Sequence, residues 1–186
     1  KGYIILMIQV FDDIVDIFDQ EIIKNNLFKE KDWEFIEDVS AKDNIHQQRP
    51  GFKIHFKTII PSINDIFLKT AKKIKLKDPK LLEVRSFLQL PLDKDFIGEG
   101  VDTPHIDLYE PHWVFLYYVI DSDGDTIIYD YKSKNKDDIP YFEDIKEIKR
   151  ITPKQGRVVV FDGAHWHTAD QPRKNKRCII NFNVNK

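Results

Sequence analysis

The sequence predicts an α+β domain, mainly β, in which two N-terminal helices cover one sheet of a sandwich or jelly roll. Three observations predict it. From Leu82 onward nearly every segment reads as a short strand, and the strands are separated by turn signals. Ahead of Leu82, two stretches carry apolar residues at helical spacing. The chain has 186 residues, 41% of them hydrophobic and 12% aromatic, which is enough for one domain with its own core and excludes disorder.

The elements follow in order. Ile8 to Phe11 reads as a short strand. Ile14, Ile17, Phe18, Ile22, Ile23 and Leu27 recur at helical spacing and predict a helix over 16–29. Trp33 to Val39 and Gly51 to Thr58 alternate as strands, with the polar stretch 40–50 as a loop between them. Pro61 opens a second helix running to Lys75, with Ile63, Ile66, Phe67, Ala71 and Ile74 on one face. Its lysines (Lys69, Lys72, Lys73 and Lys75) read as the solvated face of a helix packed on a sheet rather than as a nucleic-acid patch. Strands are then expected at 83–91, 105–110, 112–120, 126–131, 145–151, 156–161, 166–170 and 176–184. Asp123-Gly124, Pro153, Gly163 and Pro172 are among the turns between them.

Composition narrows the function classes. The net charge of −2 provides no overall field for nucleic acid, which is disfavoured as a partner. No apolar run reaches membrane-spanning length. The run Tyr3 to Ile8 is short, is followed by Asp12 and Asp13, and has no small-residue cleavage site, so a signal peptide is not expected. The only methionine, Met7, admits a start there, with residues 1–6 as extra sequence. The single cysteine, Cys178, rules out an internal disulfide framework and suits a reducing compartment, so a cytoplasmic location is expected. Cys178 reads as a small core residue rather than a nucleophile.

The chemistry concentrates late in the chain. In a strand, residues i and i+2 share a face about 6.6 Å apart, so His105 and Asp107 can bind one metal from one strand. His-x-Asp alone is weak evidence in a chain with six histidines. His167, after the β-run Arg157 to Phe161 and the turn at Asp162-Gly163, completes a set of two histidines and one carboxylate. Such a set leaves positions open on a non-haem Fe(II), whereas closed structural zinc sites carry four protein ligands. His165 lies on the same face as His167 and competes with it. The pair His165-Trp166-His167 also resembles a cupin metal motif, and a cupin-like metalloenzyme using His165, His167 and Asp107 is the alternative. Cupins place such a pair early, with a Glu and a third His downstream, and no histidine follows His167. His112, His46 and His55 have no partner at ligand spacing.

A basic residue follows at the right place for a dicarboxylate such as 2-oxoglutarate, whose far carboxylate needs a buried cation. Arg177 opens the last strand, and its planar fork matches a carboxylate bidentately. By period 2, Arg177, Ile179, Asn181 and Asn183 share the inward face, an unusual run of polar groups on an apolar strand. Arg173 sits in a turn-like stretch and reads as exposed. On the strand from His112 to Ile120, His112, Val114, Leu116 and Tyr118 alternate with Trp113, Phe115 and Tyr117. This spacing leaves open which tyrosine hydroxyl reaches the diacid. Asp121 to Asp125 is like a calcium loop, but its glycine falls at the fourth position, so a hairpin turn accounts for it better.

Residues 105–184 resemble the prolyl-4-hydroxylase-like branch of the 2-oxoglutarate/Fe(II)-dependent dioxygenases. The matching motifs are His105-Ile106-Asp107, Gly124-Asp125-Thr126, Gly156 to Phe161, His167 and Arg177. The chain looks most like small bacterial and phage members with Tyr-Tyr-x-x-Asp-Ser-Asp-Gly-Asp-Thr and Phe-Asp-Gly before the distal histidine. The resemblance implies a double-stranded β-helix with iron on His105, Asp107 and His167. It selects His167 over His165, and Tyr118 as a ligand of the far carboxylate beside Arg177; the alternation of the last strand offers Asn181 and Asn183 to the same co-substrate. It implies Fe(II), 2-oxoglutarate and O₂, admits ascorbate as an accessory, and points to hydroxylation of a prolyl peptide, an amino acid or another small molecule. Collagen-type members carry Lys where Arg177 stands. Nucleic-acid demethylase members carry a second Arg where Asn183 stands, which argues against base repair. Tyr109, Trp113 and Trp166, with the loops 40–50 and 93–103, are expected at the substrate rim. A non-catalytic β-sandwich binding module is a further alternative, and it predicts a missing triad member. The spacing is silent on the oligomeric state.

Overall fold

The computed structural model describes residues 8–30, 32–39, 49–93, 101–134, 140 and 142–186. The expected start at Met7, His46 and most of the two rim loops lie outside these residues. The elements are β1 (Gln9–Phe11), α1 (Ile17–Lys29), β2 (Glu34–Ile36), β3 (Gly51–His55), α2 (Pro61–Lys73), β4 (Leu81–Gln89), β5 (His112–Tyr118), β6 (Thr126–Lys132), β7 (Glu147–Ile151), β8 (Val158–Asp162), β9 (His165–Ala169) and β10 (Arg177–Asn185). They form a seven-stranded sheet in the order β1-β8-β5-β10-β4-β3-β2 and a three-stranded sheet in the order β7-β6-β9. All the strand pairs are antiparallel.

Strand β10 lies at the centre of the larger sheet, and its alternation decides where the chemistry can sit. Cys178, Ile180, Phe182 and Val184 pack with Phe115, Tyr117 and Val160 against the helices. From α2, Ile63, Ile66, Phe67 and Ala71 enter this layer, and the rings of Phe67 and Phe115 stack 6.4 Å apart. The opposite face carries Val114, Leu116, Tyr118, Val159, Phe161 and Ile179, which meet Ile128 and Ile151 of the smaller sheet. Arg177 and Asn181 therefore face the space between the sheets.

Both helices fall where the periodicity places them. The side chain of Asp16 caps α1 by accepting from the N–H of Asp19 at 2.9 Å. The apolar face expected of α1 is narrower than its sequence implies. Ile17 and Phe18 are 68% and 73% exposed, and the buried side is Gln20, Ile23 and Leu27. Gln20 is buried because its amide packs over Gly156 and donates to the carbonyl of Val15 at 3.0 Å. The lysine face of α2 is exposed, as its charge predicts. Among the described residues, no helix is long and apolar enough to cross a membrane.

One expected strand does not form. Residues 105–110 make a single bridge, in which His105 and His167 exchange backbone hydrogen bonds at 3.0 Å in each direction. Pro104 and Pro111 bracket the segment and offer no N–H for a ladder. Beyond His105 the chain turns away from β9 toward the larger sheet, where Asp107 is held. The segment Asp121 to Asp125 is a structural turn: Asp123 accepts from the N–H groups of Arg173, Lys174 and Asn175, tying the β5–β6 turn to the β9–β10 loop. Arg173 itself is exposed.

Candidate metal centre

His105, Asp107 and His167 converge although they do not share a strand. Their ligand-capable atoms all lie within 4.8 Å of one another. His167 comes from β9, His105 from the bridge beside it, and Asp107 from the crossing toward β10. The two imidazole rings are 4.9 Å apart, and His167 Nε2 lies 3.7 Å from Asp107 Oδ2. Each ring is oriented by its other nitrogen. His105 Nδ1 donates to the carbonyl of Thr103 at 3.1 Å, and His167 Nδ1 donates to that of His165 at 3.1 Å. Both Nε2 atoms are thereby left as acceptors for a metal.

Electrostatics prepares the same donor set. Burial pushes the His167 imidazole down to about 4, against the opposing pull of Asp107. Burial also works to raise the Asp107 carboxyl. His167, Arg85 and His105, with the hydrogen bond from Asn181, outweigh it and hold the group well below the usual carboxylate range. Near neutral pH the cluster thus presents two imidazoles, with His167 neutral, and one carboxylate. Asp107 is clamped on both oxygens: Arg85 Nη2 donates to Oδ1 at 2.8 Å, and Asn181 Nδ2 donates to Oδ2 at 2.8 Å. His165 is not in the cluster. Its Nδ1 donates to the carbonyl of Tyr129 at 2.8 Å, so the cupin-like set of His165, His167 and Asp107 is not assembled among the described residues. His112 is buried, donates through Nδ1 to the carbonyl of Glu110 and packs its ring over Gly163, where a Cβ would lie 2.0 Å from Nε2.

A cavity of about 540 Å³ opens from this cluster. His105, Asp107, His167 and Asn181 line it on one side, Arg177, Thr126 and Gln89 on another, and Lys53, His55 and Ile36 toward the β2–β3 edge. Arg177 is only 5% exposed. Its Nε donates to the carbonyl of Gly124, Nη1 to Gln89 Oε1 and Nη2 to Thr126 Oγ1, each at 2.9 Å. All three partners are neutral, and among the described residues no carboxylate pairs with this guanidinium. Gly124 has no side chain because none fits: a Cβ would meet the Asp170 carbonyl oxygen at 2.8 Å and Arg177 Cδ at 3.0 Å.

Several expected site residues stand elsewhere. Tyr118 is fully buried and lies one hydrogen bond behind the cavity wall, its hydroxyl donating to Thr126 Oγ1 at 2.7 Å. Burial pushes that phenol up to about 12. Asn181 lines the cavity but serves Asp107. Asn183 does not line it and donates to Glu83 Oε2 at 3.3 Å. Of the expected rim, Tyr109 is 62% exposed and off the cavity. Trp113 lies on the helix-facing side of β5, and Trp166 packs on the outer side of the smaller sheet with Ile127 and Tyr129. Both tryptophans alternate out of the site by the period-2 rule. Arg85, Gln89, Thr126 and Asp102 were not anticipated as site residues. For Thr126 the signal was the Gly124-Asp125-Thr126 motif. Arg85 and Gln89 share a face of β4, and only its pairing with β10 reveals it, Asn181 opposite Arg85 and Arg177 opposite Gln89.

No protein-family model and no curated protein matches the sequence. Solved structures do match in fold. A viral collagen prolyl hydroxylase from Paramecium Bursaria Chlorella virus-1, solved as a 2OG complex, aligns with a TM-score of 0.61 at 12% identity, covering 95% of this chain and 94% of that one. The non-heme alpha ketoglutarate dependent epimerase SnoN from nogalamycin biosynthesis aligns at 0.71 and 9% identity, covering 96% and 78%. A Pseudomonas putida prolyl-4-hydroxylase aligns at 0.59 and 10% identity, covering 96% and 92%. The chain has the fold of these oxygenases along nearly its whole length.

Proposed function

We propose that this protein is an Fe(II)- and 2-oxoglutarate-dependent dioxygenase, acting as a hydroxylase. The observation that carries the reading is Arg177, a buried guanidinium with only neutral partners, facing the same cavity as a His/Asp/His cluster. A buried charge with no carboxylate in direct contact is costly, and a dicarboxylate that reaches both the metal and Arg177 would relieve that cost. The fold it shares with 2-oxoglutarate oxygenases agrees with this reading. On this reading the two sheets are the double-stranded β-helix, the whole chain is one domain, and its location is cytoplasmic.

His105 and His167 would hold iron through Nε2, and Asp107 would supply the carboxylate. Iron bound there supplies the oxidising chemistry, with O₂ consumed and 2-oxoglutarate converted to succinate and CO₂. The protein's part is orientation. Arg85 and Asn181 fix the plane of the Asp107 carboxylate. Arg177 gives the far carboxylate of the diacid a bidentate seat. Thr126 Oγ1 accepts from both Tyr118 and Arg177, so its own proton is left to donate into the cavity. Leu116 and Ile179 give the cavity wall apolar surface, and Phe161 packs behind it, its ring meeting that of His167 edge-on at 5.0 Å. The substrate, a prolyl peptide, an amino acid or another small molecule, would enter past Lys53, His55 and Ile36. The resemblance still leaves room for ascorbate as an accessory.

The test is oxygen-dependent succinate formation from 2-oxoglutarate by the Fe(II)-loaded protein, followed with and without candidate substrates. The reading predicts slow substrate-free turnover that is lost in Asp107→Ala. Equal succinate formation in wild type and Asp107→Ala would contradict it.

A further inference from the structure

Gln89 stands between two buried charges of opposite sign. On one side its Oε1 accepts from Arg177 Nη1 at 2.9 Å. On the other its Nε2 donates to Asp102 Oδ2 at 2.8 Å. The second oxygen of Asp102 is taken by Arg49, and both members of that ion pair are almost fully buried. Asp102 is also stapled to β9, beside the distal histidine. Its N–H donates to the carbonyl of Ala169 at 2.9 Å, and its carbonyl accepts from Thr168 Oγ1 at 2.6 Å.

The chemistry of these groups allows one arrangement. Burial raises the Asp102 carboxyl above its ordinary value, and the Arg49 guanidinium on its other oxygen opposes that shift. As the carboxylate of this pair Asp102 only accepts, and it takes the NH₂ end of the Gln89 amide. The carbonyl end is then forced toward Arg177. The flipped amide would set oxygen against carboxylate and NH₂ against guanidinium, leaving buried groups unsatisfied on both sides. The Arg49–Asp102 pair is neutral as a unit. Gln89 therefore passes the orienting effect of Asp102 to Arg177 while keeping the carboxylate out of direct contact with the guanidinium.

We infer that Gln89, oriented by the buried Asp102–Arg49 pair, is a positioning residue for Arg177: it aims the guanidinium while leaving its charge for a dicarboxylate. This rests on the reading that Arg177 seats the far carboxylate of 2-oxoglutarate. Glutamate at position 89 would fill the same space but set a carboxyl oxygen against Asp102; once ionised it becomes an internal counter-ion to Arg177, competing with the diacid.

The experiment is an anaerobic titration of the full-length Fe(II)-loaded protein with 2-oxoglutarate, in wild type, Gln89→Leu, Gln89→Glu, Arg177→Ala and Gln89→Leu/Arg177→Ala. Gln89→Leu should weaken 2-oxoglutarate roughly tenfold to a hundredfold, the effect of one hydrogen bond to a charged group. Gln89→Glu should weaken it progressively as pH rises and the new carboxyl ionises, and Fe(II) affinity should stay unchanged in both. In the Arg177→Ala background, Gln89→Leu should add nothing, because its effect runs through that guanidinium. In the metal-free protein, the Arg177 Nε–H resonance should exchange with solvent faster in Gln89→Leu than in wild type. Wild-type affinity in both Gln89 variants, with Arg177→Ala impaired, would overturn the positioning role and leave the Arg177 assignment standing. An equal loss from Gln89→Leu with and without Arg177 would also overturn it, because Gln89 would then act on the diacid directly. Unchanged affinity in Arg177→Ala would remove the reading on which the inference rests.

Discussion

Asn181 donates its side-chain amide to Asp107 Oδ2 at 2.8 Å. It stands four residues beyond Arg177 on the same face of β10, so one strand supports the Asp107 carboxylate of the His/Asp/His cluster and carries the buried guanidinium. Asn181→Leu keeps the volume but loses the bond. It should weaken Fe(II) binding roughly tenfold to a hundredfold while leaving the 2-oxoglutarate seat at Arg177 intact. Metal titration of the variant, followed by 2-oxoglutarate titration at saturating Fe(II), checks both halves.

On the proposed reading the distal metal ligand is His167, which stands in the cluster with His105 and Asp107. His105→Ala, Asp107→Ala and His167→Ala should each lose Fe(II) binding and 2-oxoglutarate turnover. His165→Ala should retain iron, since its Nδ1 is spent on the Tyr129 carbonyl and the residue is outside the cluster. Iron content after gel filtration distinguishes them. Loss in His165→Ala together with retention in His167→Ala would reverse the assignment.

Gly124 is held to glycine by the Asp170 carbonyl, with Arg177 and Pro172 close behind. In Gly124→Ala the new methyl would press on the Asp170 carbonyl at 2.8 Å and on Arg177 Cδ at 3.0 Å. Crowding of this kind costs about 1–3 kcal/mol of stability. If Arg177 seats the diacid as proposed, 2-oxoglutarate affinity should fall while Fe(II) affinity holds. Chemical denaturation and the two titrations measure these separately.

Much of this site was legible in the sequence because it depends on local periodicity. Alternation along β10 places Arg177 and Asn181 inward and Cys178 toward the helices, and the structure agrees. The triad was readable for the same kind of reason, as a spacing of residue types. What was not legible depends on pairing between distant segments. Arg85 and Gln89 become site residues only because β4 lies beside β10 in a particular register. The strand expected at 105–110 failed because two prolines and the crossing of Asp107 between the sheets outweigh alternation. Trp113 and Trp166 are expected at the rim, whereas their strand phase turns them out of the site.

Burial pushes the Cys178 thiol up to about 12 from an ordinary value of 9.0. Above pH 9 the unfolded chain therefore gives up a proton that the native chain keeps. Stability should fall as pH rises from 9 toward 12, by up to about 4 kcal/mol from this group. Tyr118, also pushed up to about 12, adds to the fall above pH 10. Cys178→Ala should flatten the profile in this window and leave it unchanged near pH 7. Urea unfolding at a series of alkaline pH values measures the slopes.

The most direct test of the account is anaerobic titration of the Fe(II)-loaded protein with 2-oxoglutarate, monitored by the weak visible charge-transfer band of the ternary complex. Wild type should develop the band. Arg177→Ala should keep Fe(II) but bind 2-oxoglutarate a few hundredfold more weakly or worse, as expected from about 3–5 kcal/mol for breaking a buried charge pair. Arg177→Lys should lose less, because a point charge remains without the fork. Tyr118→Phe, one hydrogen bond behind the wall, should lose least, about 1 kcal/mol. Absence of the band in a folded, iron-loaded wild type, or unchanged 2-oxoglutarate affinity in a folded Arg177→Ala, would contradict the account.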